Sequence, residues 1–248
     1  MLEIENVAVR FGGLVAVDAV SLRVAAGERH AVIGPNGAGK TTLFNAVAGL
    51  VAVNAGRVRL GGIDITTASV PRRARLGLGR TFQITTLFPS LTIAETMRLG
   101  LYGCTWRPWA LLGRDRPDAA GREAIAAALG ACGLAGHGEA AVATLSYGAQ
   151  RQLELALALV GAPRLLLLDE PAAGLSPTER SLLAQIIAGL PRSLTVLMIE
   201  HDMDLVLSLV DRITCLDSGR TIAAGTPEAI RTDPDVRRVY LGTPHVRA

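Results

Sequence analysis

Hydrophobic and polar positions alternate along the opening segment MLEIENVAVRF, the period of a half-buried strand. The β-rich reading covers residues 1 to about 30 and returns over 55–66. Its turns are marked by Gly12-Gly13, Ala26-Gly27 and Gly61-Gly62. Arg29–Ile33 reads as a short buried strand, and Lys40 to Leu50 as a helix with Leu43, Val47 and Leu50 on one face. From about residue 90 to 160 the period becomes helical. Thr92 to Leu101 and Asp118 to Cys132 are predicted helices, and a further one places Leu153, Leu157 and Val160 on a shared face. Leu165–Leu168 is an apolar run suited to a central parallel strand buried on both faces, and Leu194–Ile199 reads as another apolar strand. Strand and helix alternate from there onward.

Composition narrows the class. The chain has 248 residues, enough for one large domain or a core with a modest subdomain. Half of them are apolar (50%) and 19% are charged, which permits a sizeable core and excludes a disordered chain. The greasiest stretch, Leu153–Leu168, is interrupted by Glu154, Pro163 and Arg164, so no run has the length of a membrane-spanning helix. The N-terminal segment carries acids where a signal peptide would carry a basic flank, and a soluble, cytosolic chain is expected. Cys104, Cys132 and Cys215 are odd in number and widely spaced, a pattern of neither disulfides nor a metal knuckle. A formal charge of +3 gives little warrant for a nucleic-acid partner. One imbalance is informative: of the 25 basic residues, only Lys40 is lysine. A lone lysine in an arginine-rich chain marks a place where a compact ammonium is needed and a planar guanidinium does not fit.

Lys40 lies inside Gly34-Pro35-Asn36-Gly37-Ala38-Gly39-Lys40-Thr41, a P-loop pattern set between a predicted strand and a predicted helix. Such a loop aims successive amides at phosphate oxygens, and the helix dipole adds positive potential. Asn36, Gly37, Ala38, Gly39, Lys40, Thr41 and Thr42 are therefore the candidate phosphate-binding residues. Lys40 bridges the β- and γ-phosphates and the Thr41 hydroxyl ligates Mg²⁺ in this reading. The Leu165–Leu168 strand runs into Asp169-Glu170. Asp169 suits the water shell of Mg²⁺, and Glu170 suits the general base that polarises the attacking water. The P-loop alone leaves GTPases, kinases and ATPases open.

Leu145-Ser146-Tyr147-Gly148-Ala149-Gln150-Arg151 resembles the signature sequence of ATP-binding-cassette (ABC) ATPases, and the remaining motifs of that family follow in order along the whole chain. Gln83 in Arg80-Thr81-Phe82-Gln83 matches the glutamine that bonds Mg²⁺ or the lytic water. Ala173-Gly174-Leu175-Ser176 matches the D-loop, and His201 the histidine that contacts the γ-phosphate. Phe11 sits where the family places an aromatic ring under adenine, with Val17 beside it. Tyr147 replaces a glycine and Ala149 a glutamine of the commonest signature, while Ser146 and Gly148 keep a hydroxyl and an unhindered amide at a helix N-terminus. The resemblance implies an α/β fold: a P-loop NTPase core with a mixed, largely parallel sheet, an antiparallel β subdomain and a helical signature subdomain. Residues 1–89 and 161–248 form the core with its β subdomain, and about 90–160 the helical part, in a single domain over 1–248.

It also implies a transport-coupled ATP hydrolase that uses ATP and Mg²⁺. Two cassettes pair head to tail, so that Ser146 and Gly148 of one meet the nucleotide on the P-loop of the other. Implied partners are a second ABC ATPase subunit, transmembrane permease subunits and a periplasmic substrate-binding protein, with no nucleic acid. The chain would then work at the cytoplasmic face of the inner membrane. In this family the apolar stretch Ile84–Thr92 faces a coupling helix of the permease, and its composition suits either docking of such a helix or a plain buried connection. Gly225-Thr226-Pro227-Glu228, Asp233-Pro234 and Tyr240-Leu241-Gly242 resemble ATP-binding subunits of branched-chain amino-acid importers, and the stretch Trp106–Asp118 resembles the longer of their two cassettes. Urea or amide importers and lipopolysaccharide exporters share much of this pattern. A non-transport cassette would carry two cassettes or a long coiled coil, and a small-molecule kinase or GTPase would lack Ser146-Tyr147-Gly148 and His201.

Overall fold

Residues 1–81, 87–105 and 117–241 are described in the computed structural model of the chain. The alternation of its first segment is that of strand β1 (Leu2–Phe11), whose Leu2, Ile4, Val7 and Val9 are buried. β1 turns at Gly12-Gly13 into β2 (Leu14–Val24), and pairs antiparallel with β2 on one side and β4 (Ala55–Leu60) on the other. The two-residue β5 (Ile63–Asp64) closes an antiparallel sheet of order β2-β1-β4-β5. Between β2 and β4 run β3 (Arg29–Ile33), the P-loop and helix α1 (Lys40–Ala48). All five residues of β3 are buried, as the sequence predicts.

These elements belong to a compact unit made of Met1–Arg73 and Thr195–Ala248. Its later segment supplies β8 (Thr195–Ile199), β9 (Arg212–Asp217) and β10 (Arg220–Gly225), with helices α7 (Met203–Leu209), α8 (Pro227–Thr232) and α9 (Pro234–Leu241). β3 is parallel to both β8 and β9, and β10 is antiparallel to β9, so this sheet is mixed.

The second compact unit is Ala74–Leu194. Short helix α2 (Val70–Arg75) runs across the boundary and leads to β6 (Leu78–Arg80), which pairs parallel with β7 (Leu165–Asp169). Helices α3 (Ile93–Thr105), α4 (Ala119–Ala131) and α5 (Tyr147–Leu159) lie between those strands in sequence, and α6 (Pro177–Gly189) follows. The predicted helix starts Thr92 and Asp118 are N-caps. Thr92 and Glu95 exchange hydrogen bonds, with Thr92 N donating to Glu95 Oε2 at 2.8 Å and Glu95 N to Thr92 Oγ1 at 3.2 Å. Asp118 Oδ1 accepts from Gly121 N at 2.8 Å. On α3, Ile93, Met97 and Leu101 repeat every fourth residue and are buried.

One predicted face is shorter than expected. Helix α1 stops at Ala48, because Gly49 adopts a left-handed conformation (φ 82°) and its amide turns back onto Ala46 and Asn45 carbonyls. Leu50 therefore lies beyond the helix and is exposed, while Leu43 and Val47 are buried. Arg73, only 2% exposed, takes over at that helix end. It donates to Ala46 O and Val47 O at 2.6 Å each, to Ala68 O at 2.9 Å and to Thr66 O at 3.0 Å. A cation there meets the negative end of the α1 dipole.

Candidate nucleotide-binding and catalytic site

The P-loop leaves β3 at Ile33 and re-enters regular structure at Lys40, the first residue of α1. Gly34 (φ 148°) and Gly39 (φ 97°) have backbone angles that L side chains rarely adopt. Each is also crowded: a Cβ at Gly34 would collide with the Leu216 carbonyl oxygen, and one at Gly39 with that of Ala16. Hydrogen bonds fix the loop from behind. Gly219 N donates to Ala38 O at 3.0 Å, and Asp18 N donates to Gly219 O at 2.8 Å. Ala16 and Gly219 are thus part of the loop's support, a role no local pattern announces.

No side chain caps the N-terminus of α1, and its first turn holds no acid. Its amides and positive dipole end suit an anion. Asn36, Gly37 and Thr41 are exposed, Thr42 is half-buried and Ala38 is buried. Lys40 is 7% exposed and folds over the loop, its Nζ donating to Gly34 O at 2.6 Å and Pro35 O at 2.9 Å. His201 follows β8, whose Ile199 pairs with Val32 of β3, so His201 and Gly34 leave the same ends of adjacent parallel strands. The residue is exposed, and its amide donates to Oε2 of buried Glu200 at 3.1 Å. Phe11, half exposed at 50%, ends β1 and offers a ring face. Val17 is different. It pairs with Val9 and is fully buried, so its side chain packs the sheet, while Leu14 and Val15 stand exposed beside Phe11 at the tip of that hairpin.

In the Ala74–Leu194 unit, Asp169 ends β7 and is 1% exposed. Arg80, at the end of the neighbouring parallel strand β6, donates from Nη2 to Asp169 Oδ2 at 3.0 Å. Burial draws the Arg80 guanidinium below its ordinary value, and the Asp169 charge opposes that shift. Glu170 is half-buried and left-handed (φ 48°), a conformation that costs a non-glycine residue about 1–2 kcal/mol and breaks the strand's alternation directly after Asp169. Gln83 lies outside the described residues, as does most of Trp106–Asp118.

The signature segment caps α5. Ser146 is exposed and its Oγ accepts from Ala149 N at 3.2 Å. Gly148 is buried, and its amide donates to Glu179 Oε1 at 3.2 Å. Tyr147 stands 42% exposed, its hydroxyl donating to Ala173 O at 3.3 Å and accepting from Arg151 Nη2 at 2.8 Å. Arg151 also donates to Glu154 at 2.9 Å, both side chains being buried.

A family model described as ABC transporter matches residues 17–173. The chain belongs to the ABC transporter family. It is an ABC-type ATPase cassette, α/β in class, as the signature and P-loop predict. The cassette's residues 220–246 match a second model, described as branched-chain amino acid ATP-binding cassette transporter. The high-affinity branched-chain amino acid transport ATP-binding protein BraF of Pseudomonas aeruginosa is 40% identical over 98% of both chains. LivG of Escherichia coli K12, of the same description, is 38% identical, again over 98% of each. Among solved structures, the ADP conformation of the cassette MJ1267 superposes with a TM-score of 0.86 at 28% identity, covering 98% of this chain and 99% of that one. Among the described residues, no helix of the cassette is long and apolar enough to cross a membrane.

Proposed function

We propose that this cassette is the ATP-hydrolysing subunit that drives uptake of branched-chain or related hydrophobic amino acids through partner membrane subunits. The observation that carries the cargo is the match of residues 220–246 to a model described as branched-chain amino acid ATP-binding cassette transporter, beside full-length relatives described as branched-chain amino acid transport ATP-binding proteins. The cassette would sit at the cytoplasmic face of the inner membrane, held by permease subunits and supplied by a periplasmic binding protein.

ATP would lie with its phosphates on Asn36–Thr42 and its adenine on Phe11. Lys40 would exchange its two carbonyl partners for phosphate oxygens. The exposed Thr41 hydroxyl and the Asp169 carboxylate are hard oxygen donors of the kind Mg²⁺ takes, and with Gln83 they would hold the ion. When bound, Mg²⁺ neutralises charge on the phosphates. Arg80 orients Asp169. Glu170 would take a proton from the attacking water as its oxygen bonds to the γ-phosphorus, and the bond to the β–γ bridging oxygen breaks to leave ADP and phosphate. His201 would contact the γ-phosphate. Ser146 and Gly148 of a second cassette would grip it from the other side, so that ATP closes the pair and hydrolysis releases it.

Reconstitution in liposomes with permease subunits and the binding protein tests both levels. Leucine, isoleucine or valine is expected to stimulate hydrolysis, and Glu170→Gln to slow it by about 10²–10⁴-fold with ATP binding retained. Stimulation by urea or an amide alone would reject the amino-acid cargo. Unchanged turnover in the Glu170 variant would remove that residue from the chemistry.

A further inference from the structure

The amide of Gly148 has a partner within the same chain. Glu179, the third residue of α6, forms a capping box with Ser176: its Oε2 accepts from Ser176 N at 3.0 Å and from Ser176 Oγ at 2.7 Å. A capping box needs one carboxylate oxygen. The other, Oε1, accepts the Gly148 amide of α5 at 3.2 Å. The side chain lies flat on that helix turn, since a Cβ added at Gly148 would come within 2.8 Å of Glu179 Cδ. The first turn of α5 holds no acid of its own, so Glu179 supplies the negative charge at its N-terminus. Hydrogen bonds from the Ser176 side chain and backbone, with a smaller one from Gly148, hold the Glu179 carboxyl below its ordinary range and keep it ionised at neutral pH. Tyr147 adds a second tie, from α5 to the turn that precedes α6. Its hydroxyl reaches Ala173 O, and its ring packs beside Gly174 (φ 76°), where an added Cβ would stand 3.1 Å from Tyr147 Cε1.

We propose that Glu179 is an internal latch on the signature helix: its carboxylate occupies the Gly148 amide that a second cassette's γ-phosphate requires, and it must leave before the nucleotide can close the pair. The latch rests on the reading above that Ser146 and Gly148 grip that phosphate. One N–H cannot serve a carboxylate and a phosphate together, and the two anions repel. The apparent affinity of the pair for ATP is therefore reduced by the fraction of molecules with the latch open.

The test uses the full chain carrying Glu170→Gln, with dimer formation followed by analytical ultracentrifugation across an ATP titration. Adding Glu179→Gln keeps a carbonyl oxygen for the Ser176 amide and removes the charge. Adding Glu179→Asp keeps the charge and shortens the reach. Both are expected to lower the ATP midpoint for dimerisation by at least about threefold, the gain if no more than about a third of molecules are unlatched. Affinity of the monomer for a fluorescent ATP analogue should stay the same. An unaltered dimerisation midpoint in a variant that melts like its parent overturns the latch alone. A change in monomer affinity also overturns it, because Glu179 would then act on the P-loop. If the Glu170→Gln parent stays monomeric at saturating ATP, the shared-site reading fails, and the latch with it.

Discussion

Lys40 shows how much one side chain can carry. Its ammonium is buried against two carbonyl oxygens of its own loop, at 2.6 and 2.9 Å, in a chain that uses arginine everywhere else. A guanidinium keeps the charge but is planar and wider, and it cannot place a single point donor between Gly34 O and Pro35 O. Lys40→Arg is expected to weaken nucleotide binding by about tenfold or more, equivalent to ~1.4 kcal/mol, in a titration with a fluorescent ATP analogue. Equal affinity would defeat the inference drawn from the lone lysine.

At the scale of elements, α1 has two differently managed ends. Its N-terminus has no side-chain cap and is open to an anion, whereas its C-terminus is closed by Gly49 and by the buried Arg73. Arg73 also holds Thr66 and Ala68 carbonyls, so one guanidinium fixes the helix end and the segment after β5 together. Arg73→Met would remove this donor from the buried Val47 carbonyl and from the part-buried Thr66 and Ala68 carbonyls, while Ala46 O would keep the Gly49 amide. A loss of about 2–4 kcal/mol in unfolding free energy is expected from the urea midpoint, with the larger part arising from unmet carbonyls. A shift within ~0.5 kcal/mol, the range of an ordinary surface substitution, would show that the cap is dispensable. Helices α3 and α4 carry the opposite lesson. Their starts at Thr92 and Asp118 were readable because a cap and its hydrogen-bond partner lie within three residues of each other.

For the whole molecule, the candidate site residues divide between two compact units. The P-loop and His201 belong to one, and Asp169, Glu170, Ser146 and Gly148 to the other. In the proposed mechanism Ser146 serves the nucleotide of a second cassette, so its loss separates binding from turnover. Ser146→Arg is expected to bind ATP as the parent does while hydrolysis falls by about a hundredfold or more, in the range for loss of a transition-state donor. A Ser146→Arg chain that hydrolyses ATP at the parent's rate would end the two-cassette scheme.

Local order decided what the sequence could disclose. The bounds of β3, the β7 run into Asp169, the glycine cradle around Lys40 and the caps of α3 and α4 follow from backbone angles, side-chain period and partners a few residues apart. Gln83 was legible as a motif, although it lies outside the described residues. Tertiary structure alone buried Val17, left Leu50 in solvent, and chose partners far along the chain. Arg73 meets Ala46 across 27 positions, Gly148 meets Glu179 across 31, and Arg80 meets Asp169 across 89. No periodicity records such distances. They are set when strands and helices pack and each buried charge or amide must find whatever partner the fold has brought within reach.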